Sequence, residues 1–172
     1  MVRRRLPMTS LEFTPDRILE VLIRHQVDFV VIGGLAALAH GSNLPTQDVD
    51  ITPDRATSNL AQLSDALVEL KAEVRFGDES VPFAYDAESL AGAGVWNLRT
   101  SFGELDISMV PSGTDGYVDL VRDAVPTSIL GIVVPVASLA DVIRSKQAAN
   151  RPKDQRALPV LREILASRYP QR

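Results

Sequence analysis

Two aspartates separated by one residue are the strongest chemical signal in this sequence. Asp48 and Asp50 lie in the run Gln47 to Thr52, which alternates polar and apolar residues as a half-buried strand does. Side chains two residues apart on a strand point to the same side, so the two carboxylates lie together while Val49 and Ile51 face the core. Adjacent carboxylates repel each other unless a cation lies between them, and a divalent metal ion is the simplest such cation.

A third aspartate repeats this alternation later in the chain. Asp106 lies between apolar residues in a strand predicted from Gly103 to Val110, which pairs with a strand predicted from Val95 to Thr100. On neighbouring strands, Asp48, Asp50 and Asp106 can bind two Mg²⁺ ions, because hard cations take oxygen ligands. Two such ions clamp the attacking and leaving oxygens in phosphoryl or nucleotidyl transfer.

Groups that can hold phosphate lie on both sides of the aspartates in the sequence. Gly33-Gly34 ends a buried strand predicted from Phe29 to Ile32 and opens a short helix, so backbone N–H groups are available to a triphosphate. Lys146 follows the apolar stripe of a helix that starts at Ser138, and Arg151 comes soon after it. Both cations can neutralise phosphate charge.

Length and composition predict one globular domain. The chain has 172 residues, of which 45% are hydrophobic and 23% charged. We expect a single domain over residues 1–172, with a flexible start at 1–10 and C-terminal helices over 137–168. Residues 77–94 are predicted to be mostly loop, and Pro159 is predicted to kink or restart the last helix. Mixed strands and helices indicate an α/β or α+β fold.

The charge distribution separates the end of the chain from its body. The net charge is −4, but residues 144–172 hold eight basic and two acidic side chains. Such a segment predicts a site for phosphates or nucleic acid, or simply a solvated face of the last helices. The sequence has no cysteine, no membrane-length apolar run and no signal-peptide pattern at its start. We therefore expect a cytoplasmic protein that does not enter a membrane.

The order of these motifs resembles the DNA polymerase β-type nucleotidyltransferase superfamily. More narrowly, it resembles the minimal nucleotidyltransferases of the AbiEii toxin group, which belong to type IV toxin–antitoxin systems. The resemblance covers about residues 15–166 and implies a mixed central β-sheet flanked by helices, with a C-terminal helix pair. It is carried by Gly33-Gly34, His40-Gly41, Thr46-x-Asp48-x-Asp50, Gly103 to Asp106, Leu139 to Lys146 and Asn150 to Asp154.

The resemblance implies a role for each matched residue. Asp48, Asp50 and Asp106 would be metal ligands, and Asp106 would also be the general base on the acceptor hydroxyl. Lys146 would contact the triphosphate, while Asp154 would orient Lys146 or the acceptor end. The donor would be a nucleoside triphosphate, and the acceptor in the toxin group would be the tRNA 3′ end. The phosphate pocket would be lined by Gly33, Gly34, Ser42 or Thr46, with Gly34 standing where many superfamily members have serine.

Three functions fit the sequence. We favour an Mg²⁺-dependent nucleotidyltransferase that modifies tRNA as the toxin of a toxin–antitoxin pair. The alternatives are a nucleotidyltransferase that modifies a protein partner or a small molecule such as an aminoglycoside, and a catalytically inactive regulatory relative. Thr46 lies two residues before Asp48, so its phosphorylation would add about −1.5 to −2 charges beside the metal ligands and block the site. An antitoxin kinase would be a natural source of that control.

Overall fold

One mixed β-sheet organises the protein. The computed structural model describes residues 12–83 and 85–169, and within them eight strands pair in the order β4-β3-β5-β6-β2-β1-β8-β7. The strands are β1 (Phe29–Ile32), β2 (Asp48–Pro53), β3 (Glu73–Phe76), β4 (Glu79–Pro82), β5 (Val95–Thr100), β6 (Gly103–Ser108), β7 (Val125–Ile129) and β8 (Ile132–Val136). The helices are α1 (Pro15–Arg24), α2 (Gly33–Ala39), α3 (Thr57–Glu69), α4 (Ala87–Ala91), α5 (Tyr117–Leu120), α6 (Leu139–Ala149) and α7 (Pro152–Arg168).

Strands β2 and β6 occupy the middle of the sheet and run parallel to each other. Their register places Asp50 directly opposite Asp106. The apolar residues that alternate with these aspartates on the two strands, such as Val49 and Leu105, are fully buried. The predicted alternation is therefore confirmed, and it directs the carboxylates to one face of the sheet and the apolar side chains to the other.

Helix α1 begins where the sequence predicts, with Pro15 in its first turn and Asp16 near its positive end. Its buried residues Ile18, Leu19 and Leu22 join the core beneath the sheet. Helices α6 and α7 pack against each other as the predicted C-terminal helix pair, and α6 also contacts α2. The predicted mixed sheet with flanking helices and a C-terminal pair is confirmed. No helix in the described residues has the length and apolarity needed to cross a membrane.

The prediction of a mostly irregular segment over residues 77–94 is wrong. Strand β4 pairs with β3 in a hairpin whose two-residue turn places Gly77 at φ +59°. Helix α4 follows, and the Asp86 side chain accepts a hydrogen bond from the Ser89 backbone N–H at its start. An edge strand carries polar residues and proline because one side faces solvent, so its composition looks like that of a loop.

Helix α7 continues through Pro159, so the proline does not restart the helix. Pro159 lies on the exposed side of α7. A proline lacks the N–H that would bond the carbonyl four residues earlier, and on the exposed side of a helix water can bond such a carbonyl instead. The sequence places Pro159 inside the last helix but does not show that it lies on the solvent side of that helix.

Candidate active site

The three predicted carboxylates meet at the centre of the sheet. Each of Asp48, Asp50 and Asp106 offers one oxygen, and these oxygens all lie within 4.8 Å of one another. Each aspartate is partly buried. Three carboxylate oxygens at this spacing form the hard, anionic donor set that Mg²⁺ prefers, so the residues present fit such an ion. A bound divalent ion would supply charge stabilisation to a phosphoryl group in transfer.

The aspartates destabilise one another's charge. Burial raises the pKa of Asp50 to about 7, and the charges of Asp48 and Asp106 add to this effect, while Lys153 and Lys146 oppose it. Burial also raises the pKa of Asp106 to about 6, with a contribution from its hydrogen bond to Asp48. A cluster that resists ionisation in this way is stabilised when a cation neutralises it.

The glycine pair is packed tightly against the aspartate strand. Gly33 has φ +67°, and a Cβ there would collide with the carboxylate of Asp50. A Cβ on Gly34 would lie 2.8 Å from the hydroxyl oxygen of Thr46. That hydroxyl donates a hydrogen bond of 3.1 Å to Oδ1 of Asp48. Both glycines are therefore needed because the chain passes so close to Asp50 and Thr46.

The turn after α2 is fixed from two directions. Ser42 is buried at the wall of the cleft, and its hydroxyl accepts a hydrogen bond from the Leu44 backbone N–H. Nε2 of the buried His40 donates to the Ala137 carbonyl at 2.7 Å, which leaves Nδ1 to accept from Arg168 at 3.0 Å. The Arg168 guanidinium also donates to the His40 carbonyl at 2.8 Å. His40 thus has a structural role and fixes the end of α2.

A lysine and a buried aspartate connect the two C-terminal helices. Nζ of Lys146 lies 3.6 Å from Oδ1 of Asp154, and Arg151 donates to Oδ2 of Asp154 at 2.7 Å. Burial acts to raise the pKa of Asp154, but the Arg151 hydrogen bonds and the Lys146 charge outweigh it and lower that pKa. Asp154 is fully buried, so it can orient Lys146 but cannot reach an acceptor.

A cleft of about 780 Å³ joins these groups. The predicted residues that line it are Gly33, Gly34, Ser42, Thr46, Asp48, Asp50, Asp106, Lys146 and Arg151. Sequence reasoning missed two further cations on its wall, Lys153 and Arg156, which come from the first turns of α7. Their i, i+3 spacing was the available signal, since it places both side chains on one helix face.

The fold of this chain is shared with solved structures at low sequence identity. A candidate nucleotidyltransferase of Thermotoga maritima superposes with a TM-score of 0.53 at 18% identity, covering 93% of this chain and 99% of the other. The lincosamide antibiotic adenylyltransferase LnuA, with lincomycin bound, gives 0.61 at 14% identity, with coverages of 89% and 99%. The antibiotic-resistance factor ANT(2″)-Ia gives 0.52 at 17% identity, with 90% of each chain covered.

This chain has the nucleotidyltransferase fold. No protein-family model matches it, and no curated protein matches it by sequence. Similarity at these identities shows the fold alone, so the narrower assignment to the AbiEii toxin group stays a prediction. The shared fold, together with the three clustered aspartates, is consistent with metal-dependent catalysis.

Proposed function

We propose that this protein is a metal-dependent nucleotidyltransferase, which moves a nucleotide from a nucleoside triphosphate to an acceptor hydroxyl. The observation that carries the proposal is the convergence of three carboxylate oxygens within 4.8 Å of one another in a cleft. The same cleft is also lined by Lys146, Lys153 and Arg156. A cleft with both groups can bind a metal ion and a triphosphate together, because the carboxylates bind the metal ion and the cations neutralise the phosphates.

The reaction assigns a separate task to each group. The acceptor oxygen forms a bond to the α-phosphorus, the bond from that phosphorus to the pyrophosphate oxygen breaks, and pyrophosphate leaves. Asp106 takes the proton of the acceptor hydroxyl in this proposal. Lys146, held by Asp154, would neutralise the triphosphate, and the backbone N–H groups of Gly33 and Gly34, which line the same cleft, would donate to its phosphates. Asp48 and Asp50 complete the set of residues that would hold Mg²⁺, of which two ions are proposed.

A small polyhydroxylated molecule is the acceptor we favour. Among the structures with this fold, LnuA is described with bound lincomycin and ANT(2″)-Ia in complex with adenylyl-2″-tobramycin. The cations of this cleft lie on the C-terminal helices. The sheet surface on the other side of Asp106, over β5 and β3, mixes Glu73 and Glu104 with Arg75 and Arg99. That balanced surface suits a neutral or cationic acceptor better than a polyanion.

A tRNA 3′ end is the second candidate acceptor. It is supported by the excess of basic residues over 144–172, part of which is exposed on α7. In this version the protein acts on RNA in the cytoplasm as a toxin, and a cognate antitoxin, such as a kinase, controls it. The two versions share donor, metal and carboxylates, and they differ only in the molecule that carries the acceptor hydroxyl.

One labelling experiment tests the proposal. The protein is incubated with Mg²⁺ and each α-³²P-labelled nucleoside triphosphate in turn, with total RNA, lincomycin or tobramycin, or with no acceptor. Label on a drug supports the favoured version, label on RNA supports the second, and label on the protein itself indicates a protein acceptor. D50N must abolish labelling, whereas D65N, which removes an equal charge from the exposed side of α3, must not. Transfer that persists in D50N would refute the proposed chemistry.

A further inference from the structure

Arg75 contacts the carboxylate cluster from outside the cleft. One guanidinium nitrogen lies 2.5 Å from Oδ1 of Asp106, and the other terminal nitrogen lies 3.1 Å from Oε2 of Glu104. Arg75 comes from β3, so its side chain crosses over β5 to reach β6. It does not line the cleft, so any influence on a nucleotide bound there passes through Asp106.

The surroundings of Arg75 indicate that its contact with Asp106 has an energetic cost. The side chain is only 23% exposed, and within the described residues its Nε atom is buried without a hydrogen-bond partner. A buried donor without a partner is unfavourable, so a more relaxed arrangement would turn Nε toward an acceptor. An ion pair with Glu104 alone would tie β3 to β6. The shorter contact is nevertheless with Asp106, a member of the cluster.

We propose that Arg75 sets the affinity of the aspartate cluster for a divalent cation, and that it keeps this affinity low. The inference rests on the proposed metal-dependent function. The guanidinium takes part of the hydrogen-bonding capacity of Asp106, and its positive charge repels any cation that binds the same carboxylate. The β2–β6 register already places Asp106 opposite Asp50, so Arg75 is not needed to bring these two residues together.

The consequence is an order of assembly. A cluster of three carboxylates with no cation bonded to one of them would hold a divalent ion more strongly by itself. With Arg75 on Asp106, retention of the ion depends on additional oxygen ligands, which are the phosphates of the nucleotide. Arg75 is therefore a positioning residue that couples metal binding to nucleotide binding, and it acts through Asp106 from outside the cleft.

Mn²⁺ binding to the nucleotide-free protein tests this proposal without measuring activity. Free Mn²⁺ is followed by its electron paramagnetic resonance signal during titration of wild type, R75Q and R99Q. R75Q should bind Mn²⁺ at least tenfold more tightly than wild type. Arg99 is the matched control, because it is an arginine on the adjacent strand β5, opposite Glu104 in the register. R99Q should stay within about twofold of wild type if proximity to Asp106 is what matters.

A milder variant covers the case in which R75Q fails to fold. R75K keeps the charge but loses the fork that engages Asp106 and Glu104 together, so it should bind Mn²⁺ at least threefold more tightly than wild type. Affinity in R75Q or R75K that equals or falls below the wild-type value overturns the proposal, as does absence of Mn²⁺ binding in every variant. If R75Q binds Mn²⁺ more tightly but the wild-type protein transfers no nucleotide, the proposed role of Arg75 in cation affinity is supported and the proposed function is rejected.

Discussion

Replacing Asp50 with asparagine should stabilise this protein in the absence of divalent metal. Burial and the neighbouring aspartates raise the pKa of Asp50 to about 7 in the folded chain, whereas an unfolded aspartate titrates near pH 3.9. Between about pH 4 and pH 7 the folded state therefore keeps a proton that the unfolded state has released. Wild-type stability must fall as pH rises through this window, and the loss is complete above pH 7.

The size of the effect follows from that pKa difference. A shift of about three pH units corresponds to roughly 4 kcal/mol, at about 1.4 kcal/mol per unit. D50N removes the ionisation, and its amide can donate to the carboxylates of Asp48 and Asp106. We expect the free energy of unfolding of D50N to exceed that of wild type by about 2–4 kcal/mol at pH 8.5, which raises Tm by on the order of 10 °C. At pH 4.5 the two proteins should be nearly equal.

Urea unfolding in a metal chelator, repeated from pH 4.5 to pH 8.5, measures this difference. D65N is the control, because it removes the same charge from an exposed position and should leave the pH dependence unchanged. Asp106 contributes a smaller slope of the same sign, so D50N should flatten the wild-type curve without levelling it. A D50N protein that is less stable than wild type at pH 8.5, or that keeps the full wild-type slope, would refute the reasoning.

Three further results are expected. Gly34→Ala places a methyl group 2.8 Å from the Thr46 hydroxyl oxygen and should reduce the unfolding free energy by about 1–3 kcal/mol in urea; wild-type stability would contradict this. The Thr46 hydroxyl donates a hydrogen bond to Asp48, so stoichiometric phosphorylation of Thr46 should abolish nucleotide transfer. Unchanged activity would exclude regulation by phosphorylation at this residue. Asp154→Asn should raise KM for the nucleotide about tenfold by releasing Lys146, more than Glu163→Gln on the exposed side of α7.

The carboxylates were predictable because their signal is local. Asp48, Asp50 and Asp106 each alternate with apolar residues, and a period of two fixes the face of a strand whatever the strand pairs with. The proximity of Asp106 to the other two aspartates has no local signal. It depends on the parallel pairing of β2 with β6 across more than fifty residues of chain. The resemblance to a known superfamily implies that the three aspartates bind metal together, but it does not specify that pairing.

Arg75 and the segment around it show where sequence reasoning ended. The side chain reaches Asp106 only because β3 lies two strands from β6, and no spacing in the sequence encodes that distance. Strand β4, which pairs with β3, was hidden by its edge composition. The sequence also does not indicate that Asp154 is buried, because a charged residue near a helix start usually faces solvent. Its partners Arg151 and Lys146 make that burial tolerable.

The two ends of α7 are attached to different parts of the cleft. Near its start Asp154 forms an ion pair with Lys146. Fourteen residues later Arg168 donates a hydrogen bond to His40 at the end of α2. A helix of that span is a stiff rod of about 21 Å. Because both attachments belong to one helix, a tilt of α7 would strain the Lys146–Asp154 and Arg168–His40 contacts together. Arg168 does not line the cleft, so a substitution there would loosen one attachment of α7 without removing a residue of the cleft.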